Sequence, residues 1–180
     1  MHRIVTFLVL IMILSTVVAS GQSVKPEKAD VVLKAALQQA GGANKSVLLI
    51  FHASWCGWCK RLDAVLDNPD IKRIMNDHYV ITHLVVMENG AKKALENPGG
   101  NEMMEEFGGA KSGLPFYAFL NGEGKKIADS NVMPKDQNIG YPGTPEEIVA
   151  FEKLLKRTAP RMTDEQRGPV VAYLQKNAPR

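Results

Sequence analysis

The chain has only two cysteines in 180 residues, no run of like charges, no internal repeat and no low-complexity tract. Each absence removes a class of protein. Two cysteines cannot build a disulfide-dense scaffold. They also supply only half of a four-ligand structural zinc site, which His52, His83 or carboxylates would have to complete. Basic and acidic residues are interleaved around a formal net charge of +3, one less without Arg3, so the surface reads as solvated and no nucleic-acid partner is expected. Gly41-Gly42 and Gly99-Gly100 lack the pattern of a phosphate-binding loop. No Ser/His/Asp arrangement follows from spacing, and Glu102, Glu105 and Glu106 read as a solvated helical face. No cofactor is indicated. What remains is ordinary globular composition, 45% hydrophobic and 23% charged, on a chain long enough for one domain with a real core.

The first twenty residues stand apart. Met1-His2-Arg3 is a short basic start, and Ile4 to Ala19 is an apolar run of 16 residues broken only by Thr6, Ser15 and Thr16. Val18-Ala19-Ser20-Gly21 then offers small residues suited to cleavage before the chain turns polar. This is the pattern of a secretory signal peptide over residues 1–21. An uncleaved anchor is the alternative, but the run is shorter than the roughly 20 residues needed to span a bilayer. No cysteine lies near the cleavage region, which excludes lipid attachment there. The mature protein is thus expected outside the cytoplasm, periplasmic or secreted, with no membrane contact after cleavage.

Beyond the leader, Lys28 to Ala40 reads as an amphipathic helix, with Val32, Ala35, Ala36 and Ala40 near one face and Gly41-Gly42 as its stop. Val47 to Phe51 is a short buried strand. Lys60 to Leu66 has helix-forming composition, and Pro69 opens a short helix over Asp70 to Met75. Tyr79 to Met87 is a second strand, apolar enough to be central. Asn89 to Gly100 is a polar surface insertion, and Asn101 to Phe107 makes one or two helical turns closed by Gly108-Gly109. Leu114 to Leu120 and Lys125 to Ala128 flank Asn121-Gly122-Glu123-Gly124, a strong hairpin signal. Thr144-Pro145-Glu146-Glu147 is a capping box with Pro in the first turn. It opens a helix through Arg157 that buries Ile148, Phe151 and Leu155. A last short helix over Pro169 to Lys176 packs Val170 and Leu174 as an appendix.

Both cysteines fall in Trp55-Cys56-Gly57-Trp58-Cys59-Lys60, where the buried strand gives way to a helix. Unpaired backbone N–H groups and the helix dipole stabilise a thiolate at such a place. A thiolate attacks disulfides and a thiol barely does. A staple across two intervening residues would close a tiny loop and constrain the unfolded chain little. A functional dithiol accounts for the spacing better.

Joined to the preceding strand, to Trp55 and Lys60, and to Leu114-Pro115 opening a later hairpin, this motif resembles the thioredoxin-like superfamily. Within it the likeness is to exported bacterial thioredoxin-domain proteins with an insertion before the proline loop. It covers roughly Ala29 to Arg157, about seven-tenths of the chain. The resemblance implies an α/β, thioredoxin-like fold: a central mixed β-sheet flanked by helices over residues 25–158, with a helical extension over 159–180. It implies that Cys56 is the exposed nucleophile and that Cys59, more buried, resolves the mixed disulfide. Trp55, Gly57, Trp58 and Lys60 surround the pair. Pro115 would be a cis-proline facing it, a bond geometry that needs proline, and Leu114 would offer its backbone to an extended substrate. The implied partners are protein or peptide thiols and disulfides, and a redox partner that recycles the dithiol.

Three departures qualify the likeness. Trp58 stands where the family usually has Pro or His, so Cys56 lacks a neighbouring imidazolium. Lys60 supplies only a solvated charge, and the potential is expected to be reducing or intermediate. Ile50 stands where thioredoxins keep a buried carboxylate. His83 is one candidate to move protons in its stead, although a hydrogen-bonded core or edge histidine is the simpler reading. His52 reads as a packing residue near the cleft and His78 as a loop residue. Phe116 replaces a small or hydroxyl residue, which weakens any transfer of substrate preference. Trp55 and Trp58 form an apolar rim for peptides, or Trp55 a lid on the helix start. Two alternatives stay open: a chaperone or interaction module with idle cysteines, and a metal-binding protein.

Overall fold

A computed structural model of the protein describes residues 25–179; the expected signal segment, residues 1–21, lies outside them. The fold grows from the apolar run that sequence reading placed in a buried strand. Strand β1 (Ser46–His52) alternates its side chains, Leu48 and Ile50 to one face and Val47, Leu49 and Phe51 to the other, each at 2% exposure or less. A strand buried on both faces has no reason to alternate in polarity.

Helix α1 (Ala29–Ala43) precedes it, and α2 (Gly57–Asp67) and α3 (Pro69–His78) lead to β2 (Tyr79–Val85), which runs parallel to β1. After a 3₁₀ turn (Gly90–Leu95) and α4 (Gly100–Met104), which widens into a π-turn (Glu105–Gly109), come β3 (Phe116–Leu120) and β4 (Lys126–Asp129). Both pair antiparallel, giving a mixed four-stranded sheet in the order β2-β1-β3-β4. A small ribbon of β5 (Asn131–Met133) and β6 (Gln137–Asn138) follows, then α5 (Pro145–Thr158) and α6 (Asp164–Lys176). The expected α/β fold, a central mixed sheet flanked by helices with a helical C-terminal region, is therefore present.

Each face of the sheet carries its own core. On one side Ala29, Ala36 and Ala40 of α1 and Met104 of α4 pack on Val47, Leu49, Phe51, Phe116 and Leu120. On the other, α2, α3, α5 and α6 close over Leu48, Ile50, Tyr117 and Phe119. Phe116 comes so near the preceding π-turn that a Cβ on Gly109 would stand 2.7 Å from its ring and 2.6 Å from the Met104 side chain. Only glycine fits there, and the approach seats the start of β3.

Several expectations need correction. Strand β2 is an edge strand; its apolar residues are explained by helix cover, not by a central place. Its end nearest the cysteines is closed by Asn97, whose Oδ1 accepts from the Val85 N–H at 2.7 Å and whose own N–H donates to the Val85 carbonyl at 3.0 Å. Helix α1 runs on through Gly41-Gly42 and stops at Asn44, which adopts the left-handed conformation (φ 51°) that asparagine tolerates. Ala35 is exposed, and Val32, Leu33 and Leu37 join Ala36 and Ala40 on the inward face. Helix α3 extends past Met75 to His78. Helix α6 starts at Asp164, not at Pro169, because Thr163 and Gln166 form a reciprocal capping box that sets its first turn. Pro169 lies inside the helix. The β5–β6 ribbon was not anticipated. Among the described residues no helix is long and apolar enough to cross a membrane.

Candidate functional site: a disulfide at a helix start

Chain entry into α2 is a tight turn in which the Cys56 N–H donates to the Ala53 carbonyl at 3.0 Å. Cys56 is the N-cap, extended at φ −78° and ψ 106°, and its Sγ accepts from the Cys59 N–H at 3.0 Å. The third helical N–H, which an Asp or Ser side chain would normally take, is thus given to sulfur. Cys56 and Cys59 are joined as a disulfide with Cα atoms 5.3 Å apart. The Leu114–Pro115 peptide is cis, and the half-buried Leu114 packs on Ala53, Cys56 and Cys59.

The expectation of an exposed Cys56 beside a buried Cys59 is not met in this oxidised form: the two residues are 3% and 2% exposed. The cause is the small apolar cluster just described, in which Leu114 is the one large side chain. Leu114 is thus the large neighbour whose removal would change access to the pair. Gly57 and Lys60 are exposed.

Trp55 and Trp58 are each 49% exposed and flank the pair. The Trp55 indole N–H donates to the Met87 carbonyl at 2.8 Å, which fixes its ring at the rim. Trp58 stacks on Tyr141 with ring centres 5.9 Å apart, and the Arg61 guanidinium lies over its ring, 5.2 Å from the centre. Burial pushes the Tyr141 phenol up, against a downward pull from Arg61. Beside Trp58 and Leu114 opens a groove of about 380 Å³ whose walls include Asn138, Tyr141, Glu147 and Pro179.

The sequence did not reveal what holds the proline loop. Asn138 on β6 donates through Nδ2 to the carbonyls of Gly113 at 2.7 Å and Pro115 at 3.0 Å. Nor did it single out Glu88, a carboxylate 2% exposed whose oxygens accept from the Ser54 N–H at 2.6 Å and the Ser54 hydroxyl at 2.9 Å. Both lie in polar stretches where residue type alone carries no signal.

Two of the histidines sit together. His83 Nε2 lies 3.1 Å from Asp63 Oδ1, and its ring is 5.0 Å from that of His52, at a shallow groove on the α2 side of the sheet. Burial, followed by the neighbouring His83, lowers the His52 imidazole below its ordinary value against the opposing pull of Asp63 and Glu88. His78 is not a loop residue. It ends α3, is buried, and pairs through Nε2 with Gln166 Oε1 at 3.1 Å. Ile50 is 1% exposed in the core opposite Tyr117, whose buried hydroxyl has no hydrogen-bond partner among the described residues. Among the described residues no group of three or more His, Cys, Asp or Glu is placed to hold a metal ion.

A mixed sheet, a cysteine pair capping the helix after its first strand and a cis-proline beside that pair define a thioredoxin-type domain. A family model described as thioredoxin-like matches residues 29–122, and the chain belongs to that family. It is 29% identical to the protein disulfide-isomerase tigA of Aspergillus niger, over 56% of this chain and 32% of that protein. It is 27% identical to a protein disulfide-isomerase of Hordeum vulgare, over 55% of this chain and 17% of that one. The chain thus spans a third or less of the length of these curated relatives. Among solved structures, a disulphide isomerase from Xylella fastidiosa Temecula1 is 20% identical with a TM-score of 0.49, covering 82% of this chain and 89% of its own.

Proposed function

We propose that this protein is a thiol–disulfide oxidoreductase that exchanges disulfides with protein or peptide substrates outside the cytoplasm. The observation that carries the reading is the Cys59 N–H resting on Cys56 Sγ at 3.0 Å at the start of α2. When the disulfide is reduced, that N–H and the helix dipole favour the charged form of the same sulfur. Cys56 thiolate attacks a substrate disulfide, forming a mixed disulfide and releasing one substrate thiolate. Cys59 thiolate then attacks Cys56 Sγ, releasing the second substrate thiolate and restoring the Cys56–Cys59 bond. Two electrons have passed to the substrate, and a redox partner must return them.

In this reading Leu114 and Pro115 hold an extended substrate beside Cys56, and the apolar faces of Trp55 and Trp58 form the rim of its path. Gly57 keeps the turn open, and Lys60 adds a solvated charge. No imidazolium adjoins Cys56, so the couple belongs at a reducing or intermediate potential. Residues 25–158 are the thioredoxin-like domain and 159–180 an extension that seals its helical face. The leader over residues 1–21 sends the protein to the periplasm or medium.

The test is covalent trapping. Cys59→Ser, made in the compartment to which the leader directs the chain, is expected to accumulate mixed disulfides through Cys56. An empty trap, with Cys56 still reacting with iodoacetamide, overturns the reading. The near-zero exposure of both cysteines favours one rival, an interaction module with idle cysteines. That rival requires a Cys56→Ser, Cys59→Ser double variant to keep its full biological effect.

A further inference from the structure

Opposite the Trp55–Cys56 turn lies a buried carboxylate that the exchange steps above do not use. Glu88 accepts from the Ser54 N–H and the Ser54 hydroxyl, while Met87, one residue earlier, accepts the Trp55 indole N–H. The two residues before Cys56 are therefore tied three times to residues 87–88. The backbone bends to make this possible. Met87 is left-handed (φ 53°) and 44% exposed, while Val86 and Glu88 on either side are 0% and 2% exposed. A non-glycine residue persists in that conformation only where its surroundings over-determine it.

A small polar network backs the carboxylate. The Glu88 N–H donates to Glu96 Oε1 at 2.6 Å, and Asn101 Nδ2 holds Glu96 Oε2 at 3.1 Å. Lys92 Nζ reaches the Ser54 hydroxyl at 3.1 Å, the one cation that a described hydrogen bond brings to this cluster. Ser54, which both Glu88 oxygens hold, is two residues from Cys56, so their Cα atoms stand within about 7 Å of each other. The charge of Glu88 already acts on His52, two residues before Ser54. A negative charge disfavours a thiolate near it and leaves an uncharged disulfide unaffected.

Resting on the oxidoreductase reading, we propose that Glu88 is a positioning residue that anchors the Ser54–Trp55 approach to Cys56, and that its negative charge biases the couple toward the disulfide, making the reduced protein a stronger reductant. The relevant equilibrium is with glutathione. The protein S–S bond breaks, one S–S bond forms between two glutathione sulfurs, and two electrons and two protons pass to Cys56 and Cys59.

Glu88→Gln keeps an acceptor for the Ser54 N–H and a group for its hydroxyl but removes the charge. It is expected to raise the equilibrium constant for reduction by glutathione about tenfold, a shift of about 30 mV to less negative potential for a two-electron couple. Alkylation of reduced Cys56 by iodoacetamide should move to lower pH in step. Lys92→Met, at an exposed site, removes the opposing charge and should move the equilibrium the other way by about twofold. It decides alone if Glu88→Gln does not fold. A wild type that equilibrates with glutathione beside an unmoved Glu88→Gln, or beside one shifted to more negative potential, overturns this inference alone. If only Lys92→Met can be measured, an unmoved equilibrium does the same. A wild type that never equilibrates overturns the oxidoreductase reading and this inference with it.

Discussion

Helices α2, α5 and α6 all begin with a side chain accepting from the third helical N–H, yet they differ in what answers back. At α5 the Thr144 hydroxyl accepts from the Glu147 N–H at 3.2 Å, and Glu147 Oε2 accepts from the Thr144 N–H at 2.9 Å. At α6 Thr163 and Gln166 exchange the same pair of bonds, at 3.4 Å and 3.0 Å. At α2 the cap is Cys56 sulfur, and the residue whose N–H it accepts is Cys59, its disulfide partner. No side chain closes the box. The two threonine starts are finished structures; the cysteine start leaves its cap free to change charge and bonding partner, and that freedom is what exchange chemistry needs.

The largest effect is expected where this difference is erased. Cys56→Ser supplies a hydroxyl that can still cap α2, so the fold should persist with its far-UV circular dichroism intact. Disulfide reduction in an insulin-turbidity assay should fall to background. Next is access: Leu114→Ala removes the large side chain packed on the sulfur pair. Reduction of the protein disulfide by dithiothreitol should then run severalfold faster than in the wild type; an unchanged rate would show that Leu114 is no barrier.

At the threonine start the expectation reverses. Thr163→Ala should cost about 1 kcal/mol of stability in urea unfolding and leave the exchange rate alone. A smaller effect concerns His52. Burial lowers its pKa, so between that lowered value and the ordinary imidazole value of about 6.5 the unfolded chain binds a proton that the native protein refuses. Stability should therefore fall as pH drops through this window, and His52→Gln should flatten the fall in urea midpoints. The smallest effect is expected of Tyr117→Phe. It removes a buried hydroxyl that has no partner among the described residues and should be neutral or slightly stabilising, within about 0.5 kcal/mol.

The sequence made some of this legible and hid the rest for physical reasons. Val47–Phe51, the hairpin around Asn121-Gly122 and the capping box at Thr144 were readable because hydropathy, turn chemistry and capping are local. The edge position of β2 was not, since helix cover makes an edge strand as apolar as a central one. The β5–β6 ribbon turns on left-handed Lys135 and Asp136, but its strands of 3 and 2 residues are too short to show an alternation. Cysteine spacing pointed to the site, but Asn138, Tyr141 and Glu88 reach it only through the tertiary fold. The packing of Leu114 on the buried Cys56 likewise joins residues distant in sequence and close in space.

Asn97 has a consequence for how molecules of this protein meet. By occupying both the N–H and the carbonyl of Val85, it blocks that stretch of the sheet border from accepting a ribbon of another chain. Unprotected borders template intermolecular association. A substitution such as Asn97→Ala would therefore be felt first in solution behaviour, as slow self-association at high concentration, while the dithiol kept its chemistry.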